Sequence, residues 1–198
     1  NEMYPVQNYY PIKKAKEDSD VVIVIVHGSN EHYELSSPRM KKTYRFYADA
    51  GADAVVGHHT HCISGYERYH DVPIFYSLGN FLFDKNDDEK LTVWNKGVIC
   101  VLEVTQNKPV EFELKPYVQG WETGGLQVPS KDELEAIYSQ IDSLNKIINN
   151  DTKLENHFGE YCNRSKKLYN SYIEPHTIRV VHALRNRQLL PPILSKRK

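Results

Sequence analysis

Cysteine is scarce in this chain: three in 198 residues, at Cys62, Cys100 and Cys162. No two form a C-x-x-C pair, so neither a disulfide framework nor a cysteine-based zinc site is encoded, and three free thiols are expected. Long apolar runs are missing as well. The longest, Val21 to Val26, falls far short of the roughly 18 or more residues that a membrane-spanning helix requires. Charge of one sign is not in excess: 25 Lys and Arg stand against 26 Asp and Glu, a formal net charge of −1. That balance argues against nucleic acid or an anionic membrane as the partner. The basic tail Lys196-Arg197-Lys198 reads as a solvated chain end. A signal peptide is not seen, and position 1 is Asn rather than Met. A leader or anchor upstream is therefore left open, and with it the choice between a cytoplasmic and a membrane-associated protein.

What is present is ordinary globular material, 40% hydrophobic and 26% charged. The length suits one domain, or one domain with a helical appendage. Tyr4 to Pro11 reads as an irregular lead-in and Lys13 to Asp18 as a short helical or polar segment. Val21 to Val26 is a run of β-branched residues, the pattern of a strand buried on both faces. Ser37 and Pro38 open a helix that runs to about Ala50 and stops at Gly51. Asp53 to Gly57 is a second short buried strand, so the order is strand, helix, strand, a βαβ unit whose strands lie parallel in the sheet interior.

Two hairpins are expected next: Ile63–Tyr69 with Pro73–Tyr76 around His70-Asp71, and Gly97–Thr105 with Val110–Tyr117. The Gly97–Thr105 strand reads as mostly buried, becoming half-exposed toward its end. Gly120 to Pro129 is the expected hinge. Beyond it Ser130 and Glu133 form a capping box, and Leu134, Ile137, Tyr138, Ile141, Leu144 and Ile148 make an apolar stripe at helical spacing. Further helices are expected over Lys153–Tyr172 and from Pro175 to before Pro191. The predicted class is α/β, with residues 1–119 as a domain of mixed sheet, βαβ unit and hairpins, and 120–198 as a helical extension.

The chemistry concentrates at strand ends. Three of the nine histidines fall within His58-His59-Thr60-His61, just after the second strand. In extended backbone His59 and His61 present their rings to one side. Paired imidazoles at the mouth of a buried strand suit a transition metal, in the position where α/β folds place their sites. A polar surface turn with fortuitous histidines explains the same residues equally well. His27 ends the first strand and would lie beside the cluster if the two strands are parallel neighbours. Asn80, in Tyr76-Ser77-Leu78-Gly79-Asn80-Phe81, either orients a ligand or substrate oxygen or holds a turn.

Taken together, His27-Gly28-Ser29-Asn30-Glu31, Gly51-Ala52-Asp53-Ala54-Val55-Val56-Gly57-His58-His59-Thr60-His61 and Pro73-Ile74-Phe75-Tyr76-Ser77-Leu78-Gly79-Asn80-Phe81 resemble consecutive signatures of the bacterial capsule-synthesis (CapA) family. The resemblance covers Asp20 to Asp84 and extends loosely to Tyr117. That family is linked to poly-γ-glutamate capsule synthesis and is similar in fold to calcineurin-like metallophosphatases, so the resemblance implies a metallophosphatase-like α/β sandwich, of which this chain resembles the C-terminal half.

The resemblance also implies roles. His27, His59 and His61 are the implied ligands of one or two divalent metals (Mn, Fe or Zn), with His58 standing where the G-H-x-H motif of metallophosphatases has glycine. Glu31 matches the acid of an H-x-G-x-E segment in which Ser29 replaces glycine; Glu31 and Asn80 are the candidate substrate-binding residues. His58 and His32 are the candidates for proton transfer. Further ligands in the family's fold come from motifs that do not precede Asp20 here. The expectation is thus a fragment with incomplete ligation, catalytically poor by itself, whose exposed sheet face favours self-association. Two functions follow. One is a metal-dependent hydrolase acting on a phosphoester or a polymer-linked group. The other is a non-catalytic component of a surface-polymer assembly that binds an anionic polymer.

Overall fold

The computed structural model describes residues 5–82, 93–120 and 124–173, with 183, 184, 187 and 189. The order of elements is α1 (Pro5–Asp18), β1 (Ile23–His27), α2 (Pro38–Asp49), β2 (Ala54–His58), β3 (Tyr66–Tyr69), β4 (Val72–Phe75), β5 (Lys96–Glu103), β6 (Glu111–Gln119), β7 (Leu126–Gln127), α3 (Lys131–Ile148) and α4 (Asp151–Ile173). This is a mixed α/β arrangement, consistent with a metallophosphatase-like fold. Compact packing separates residues 1–156 from 157–198. The helix α3, which lies in the 120–198 segment, packs within the first unit: Ile137 and Ile141 join Ile63 and Val98 in one buried cluster.

The first sheet has the order β1-β2-β4-β3. β1 and β2 run parallel, in register from Ile23 opposite Ala54 to His27 opposite His58. β2 and β4 are parallel too, while β3 and β4 form the expected antiparallel hairpin. Its turn residues His70 and Asp71 both have positive φ, 48° and 66°, the backbone that a two-residue hairpin loop selects. α2 joins β1 to β2. Its first turn is satisfied as the sequence suggests: Ser37 Oγ accepts from Met40 N at 3.1 Å, and Pro38 follows the cap.

The inner face of α2 carries Met40, Thr43, Tyr44 and Tyr47, three to four residues apart and all buried. Tyr44 stacks on Tyr76 with ring centroids 5.6 Å apart. Gly57 makes this approach possible, since a Cβ there would sit 2.4 Å from Tyr76 O and 2.9 Å from the Tyr44 hydroxyl. The residue before His58 is therefore packed from behind by a tyrosine layer. Rigidity at the end of β2 follows from that contact.

Four expectations are corrected. Residues 5–18 form a helix throughout, including Pro11; packing of Ile12, of Tyr9 against Phe46, and of Asn8 Nδ2 donating to Tyr47 OH at 2.9 Å outweighs the hydrogen bond that the proline forfeits. β1 is an edge strand among the described residues, not an interior one. Its residues alternate, with Ile23 44% and Ile25 70% exposed. A run of β-branched residues reports strand propensity, which an edge strand shares with a central one. β5 likewise alternates from Ile99 onward and is not mostly buried. Finally, the expected hinge contains β7, which pairs with Val118 and Gln119 of β6. The helix expected after Pro175 lies almost wholly outside the described residues.

The second sheet is β5-β6-β7, antiparallel. It joins the first through an isolated bridge between Gly79 and Gly97 and through Val98 N donating to Leu78 O at 2.9 Å. The α3 capping box forms as expected, with Ser130 Oγ accepting from Glu133 N at 3.4 Å and the Glu133 carboxylate accepting from Ser130 N at 2.8 Å.

A buried ionic group fastens α2 to β3 and to the end of α3. Glu67 accepts from Arg45 at 2.9 and 2.6 Å and from Tyr76 OH at 2.6 Å. Lys41, 3% exposed, donates to Ile148 O and to Asp151 Oδ1, the latter at 2.7 Å. Lys41→Met is expected to destabilise by about 2–3 kcal/mol, under the full cost of an orphaned buried charge because Arg45 and Tyr76 still serve Glu67; urea unfolding measures it. The hydrogen bond from Lys41, and then its charge, hold the Asp151 carboxyl below its ordinary value of 3.8. Asp151 thus adds stability above that value which is lost as pH falls through its folded pKa. Asp151→Asn removes this part of the acid dependence, and melting temperatures across the acid range show it.

Candidate functional site

The parallel register sets the frame. Because His27 lies opposite His58, the chain leaving β2 turns across the end of β1. Gly28 N donates to His58 O at 3.2 Å, and His32 N donates to Thr60 O at 2.8 Å, so the two loops are stitched together. Thr60 is fully buried and closes its own turn, Oγ1 donating to Cys62 O at 2.9 Å.

The resulting backbone is strained where the histidines stand. His59 has φ 102°, His61 φ 60° and His32 φ 58°. Non-glycine residues held there cost on the order of 1–3 kcal/mol each when outside the favoured basin, and such strain clusters at functional sites. The extended geometry expected for His59 and His61 does not occur. Their rings still come near one another, centroids 6.1 Å apart, but the turn brings them together rather than strand periodicity.

The closest pair is His27 and His59, with Nε2 and Nδ1 3.1 Å apart and rings nearly edge to face. Either one nitrogen carries a proton toward the other, or both lone pairs face one cation. Two nitrogens each about 2.0–2.1 Å from a cation lie roughly 3.0–3.4 Å apart, so the spacing satisfies the second arrangement as well as the first. His61 Nδ1 is 2.8 Å from Asn80 Oδ1. The Asn80 amide nitrogen faces two carbonyls, His61 O at 3.4 Å and Trp94 O at 3.2 Å, so its oxygen must face His61. Neutral His61 then carries its proton on Nδ1 and its lone pair on Nε2.

The other predicted residues surround this centre at varying distance. Glu31 Oε1 is 3.9 Å from His59 Nε2 and 57% exposed on its side chain, a solvent-screened approach worth little. His58 lines the cleft; burial first, and the neighbouring His27 second, push its pKa below the ordinary 6.5, so it is held neutral. The His32 ring is 6.2 Å from that of His61. Asn80 is 4% exposed and oriented inward. Among the described residues no group of three or more His, Cys, Asp or Glu is gathered closely enough to hold a metal ion.

His27, His58, His59 and His61 line an open cleft of about 470 Å³ together with Leu78, Phe81, Ile99 and Tyr117. Cys100 also borders it, but burial pushes its thiol up to about 11, and that of Cys62 likewise, so neither is a thiolate at neutral pH. All three cysteines are free, as expected.

Three contributors escaped the sequence reading. Trp94 stacks on His61 at 4.9 Å and 6°. Gln119 Nε2 donates to Trp94 O at 2.8 Å. Tyr117 OH donates to Asn80 O at 2.6 Å. Gly97 admits that tyrosine, for a Cβ there would fall 2.1 Å from its hydroxyl. No local spacing signals these contacts, which join the second sheet to the first.

Residues 3–85 match the family model described as bacterial capsule synthesis protein PGA_cap. The match includes every histidine of the cleft and Asn80. This segment is similar to that capsule-synthesis family. The PGA biosynthesis protein CapA of Bacillus subtilis is 43% identical over 105 residues, covering 53% of this chain and 27% of that protein. The capsule biosynthesis protein CapA of Bacillus anthracis is 42% identical over 78 residues, 37% of this chain and 19% of the relative. The uncharacterized protein y4sH of Sinorhizobium fredii is 40% identical over 75 residues, 37% of this chain and 16% of its own length. The chain thus spans about a quarter or less of the length of these relatives.

The network around Asn80 gives a stability prediction. Asn80→Ala leaves buried partners unsatisfied and is expected to cost about 1–3 kcal/mol. Gly97→Ala, which must displace Tyr117, is expected to cost a similar amount, about 1–3 kcal/mol. Urea midpoints with unchanged slopes are the measure; shifts equivalent to less than about 0.5 kcal/mol, the level of an ordinary surface substitution, would contradict the packing account.

Proposed function

We propose that this chain carries the histidine-lined pocket of a capsule-polymer biosynthesis protein of the poly-γ-glutamate type, and that the pocket serves metal-dependent phosphoester chemistry. The observation that supports it is the 3.1 Å approach of His27 Nε2 to His59 Nδ1 at the end of the parallel pair. In this reading His27 and His59 hold a divalent cation (Mn, Fe or Zn), with His61 beside them offering Nε2 because Asn80 occupies its Nδ1. A bound cation of this kind polarises a phosphoryl oxygen and acidifies a water.

The chain's own groups do the rest. His58, neutral and on the cleft wall, stands in its base form and can take up a proton at its ring, as a weaker base than a free imidazole. The apolar wall of Phe81, Ile99 and Tyr117 carries the non-reacting part of a substrate. Glu31 is exposed and meets substrate only at the rim.

A second reading is favoured by the missing third donor among the described residues: the cleft binds an anionic polymer without turnover. Calorimetric titration with Mn²⁺ and Zn²⁺ separates the two. The metal reading expects saturable binding that His27→Ala and His59→Ala each weaken at least tenfold, with His70→Ala, a hairpin-turn control, unchanged. Binding no tighter than in the double variant overturns it. Retention of poly-γ-glutamate in chelator, with no metal uptake, supports the polymer reading instead.

A further inference from the structure

We infer that Trp94 is a positioning residue for the histidine cluster, clamping the His61 ring and fixing the tautomer of His32. Trp94 comes from the turn before β5, in the second sheet, whereas both histidines belong to loops of the first. Four contacts converge on it. Its indole lies flat on the His61 imidazole, centroids 4.9 Å apart and planes 6° from parallel. Its Nε1–H donates to His32 Nδ1 at 3.1 Å. Its carbonyl accepts from Asn80 Nδ2 at 3.2 Å and from Gln119 Nε2 at 2.8 Å.

Each contact has a distinct consequence. An indole N–H is a donor only, so His32 Nδ1 must accept, and neutral His32 carries its proton on Nε2. Asn80, itself held by the Trp94 carbonyl, takes the His61 Nδ1 proton, and the indole face restrains the ring from rotating about that bond. His61 is thereby fixed in both tautomer and plane, the two properties that an outer partner sets for a metal-ligating or proton-transferring imidazole. Gln119, 4% exposed and at the end of β6, anchors the turn that bears the indole. The Trp94 side chain thus touches both the His61 and the His32 rings from the second sheet. His61 and His32 take opposite tautomers, Nδ1–H set by Asn80 and Nε2–H set by Trp94.

The inference rests on the cluster of the proposed function, but its deciding readout, the imidazole tautomers, needs no metal. Long-range ¹⁵N–¹H spectra of the histidine-labelled chain, at about pH 8 where ordinary imidazoles are neutral, read each tautomer, with signals assigned through His32→Gln and His61→Gln. The expected spectrum has His61 protonated on Nδ1, His32 on Nε2, and the His61 carbon-bound protons displaced upfield by the indole ring current. Trp94→Phe keeps a stacking face and loses the donor, so His61 keeps its tautomer while His32 becomes a tautomer mixture. Trp94→Ala also releases His61, and its Mn²⁺ affinity falls about tenfold, with recovery in Trp94→Phe. Melting curves establish that the variants fold; if Trp94→Ala does not, Trp94→Phe alone still decides the His32 assignment. His32 unchanged in Trp94→Phe, or His61 showing Nε2–H in the wild-type chain, overturns the inference. If the wild-type chain takes up no metal, the metal reading fails while the imidazole spectra still judge this one.

Discussion

The arrangement depends on one strand register: His27 opposite His58 at the end of a parallel pair. A shift of one residue would turn His27 to the other face of the sheet, because side chains alternate along a strand. With the register as it is, the chain emerging from β2 bends across the end of β1 through His59, Thr60 and His61. In that bend His59 and His61 take positive φ. The same turn lays the His59 ring against His27, so strain and proximity arise from a single geometric cause. The loop after β1 responds by bonding to the turn, through Gly28 and His32.

Such strain persists only when its surroundings over-determine it. Here the turn is braced on three sides. Behind it, Tyr44 fills the space that Gly57 vacates and stacks on Tyr76, whose hydroxyl is held by Glu67. Within it, Thr60 is buried and closes its own hydrogen-bonded loop. In front, Asn80 takes His61 and is gripped in turn by Tyr117 and the Trp94 carbonyl. The first brace belongs to α2 and β4, the last to the second sheet. Both layers therefore meet at the histidines, which explains why an otherwise small and open cleft has fixed ring positions along one wall.

Much of this was legible in the sequence where the signal is local. Ser37-Pro38, the His70-Asp71 turn, and the Ser130 and Glu133 box each carry their own stereochemistry, and each forms. The parallel pairing of Val21–Val26 with Ala54–Val56 followed from length and order, and so did the meeting of His27 with the His58–His61 cluster. What failed was inference from composition to environment. Six β-branched residues did not distinguish an edge strand from a central one, and Tyr4–Pro11 concealed a helix because a proline's local penalty hid the packing that overcomes it. The spacing argument for His59 and His61 reached proximity through extended backbone that the turn does not adopt. Trp94, Tyr117 and Gln119 were beyond reach, since their contacts join residues many positions apart and leave no periodic trace.

The claim on which the account rests is that His27 and His59 face one cation rather than sharing a proton. Pulsed electron paramagnetic resonance on the Mn²⁺-loaded chain, comparing natural-abundance with ¹⁵N-histidine samples, tests it most directly, because nitrogen coupling to the electron spin requires a directly bonded imidazole. The account predicts coupling from at least two imidazoles, reduced by one when either His27 or His59 is changed to alanine. A spectrum with water protons alone, or with nitrogen coupling indifferent to both substitutions, would contradict it.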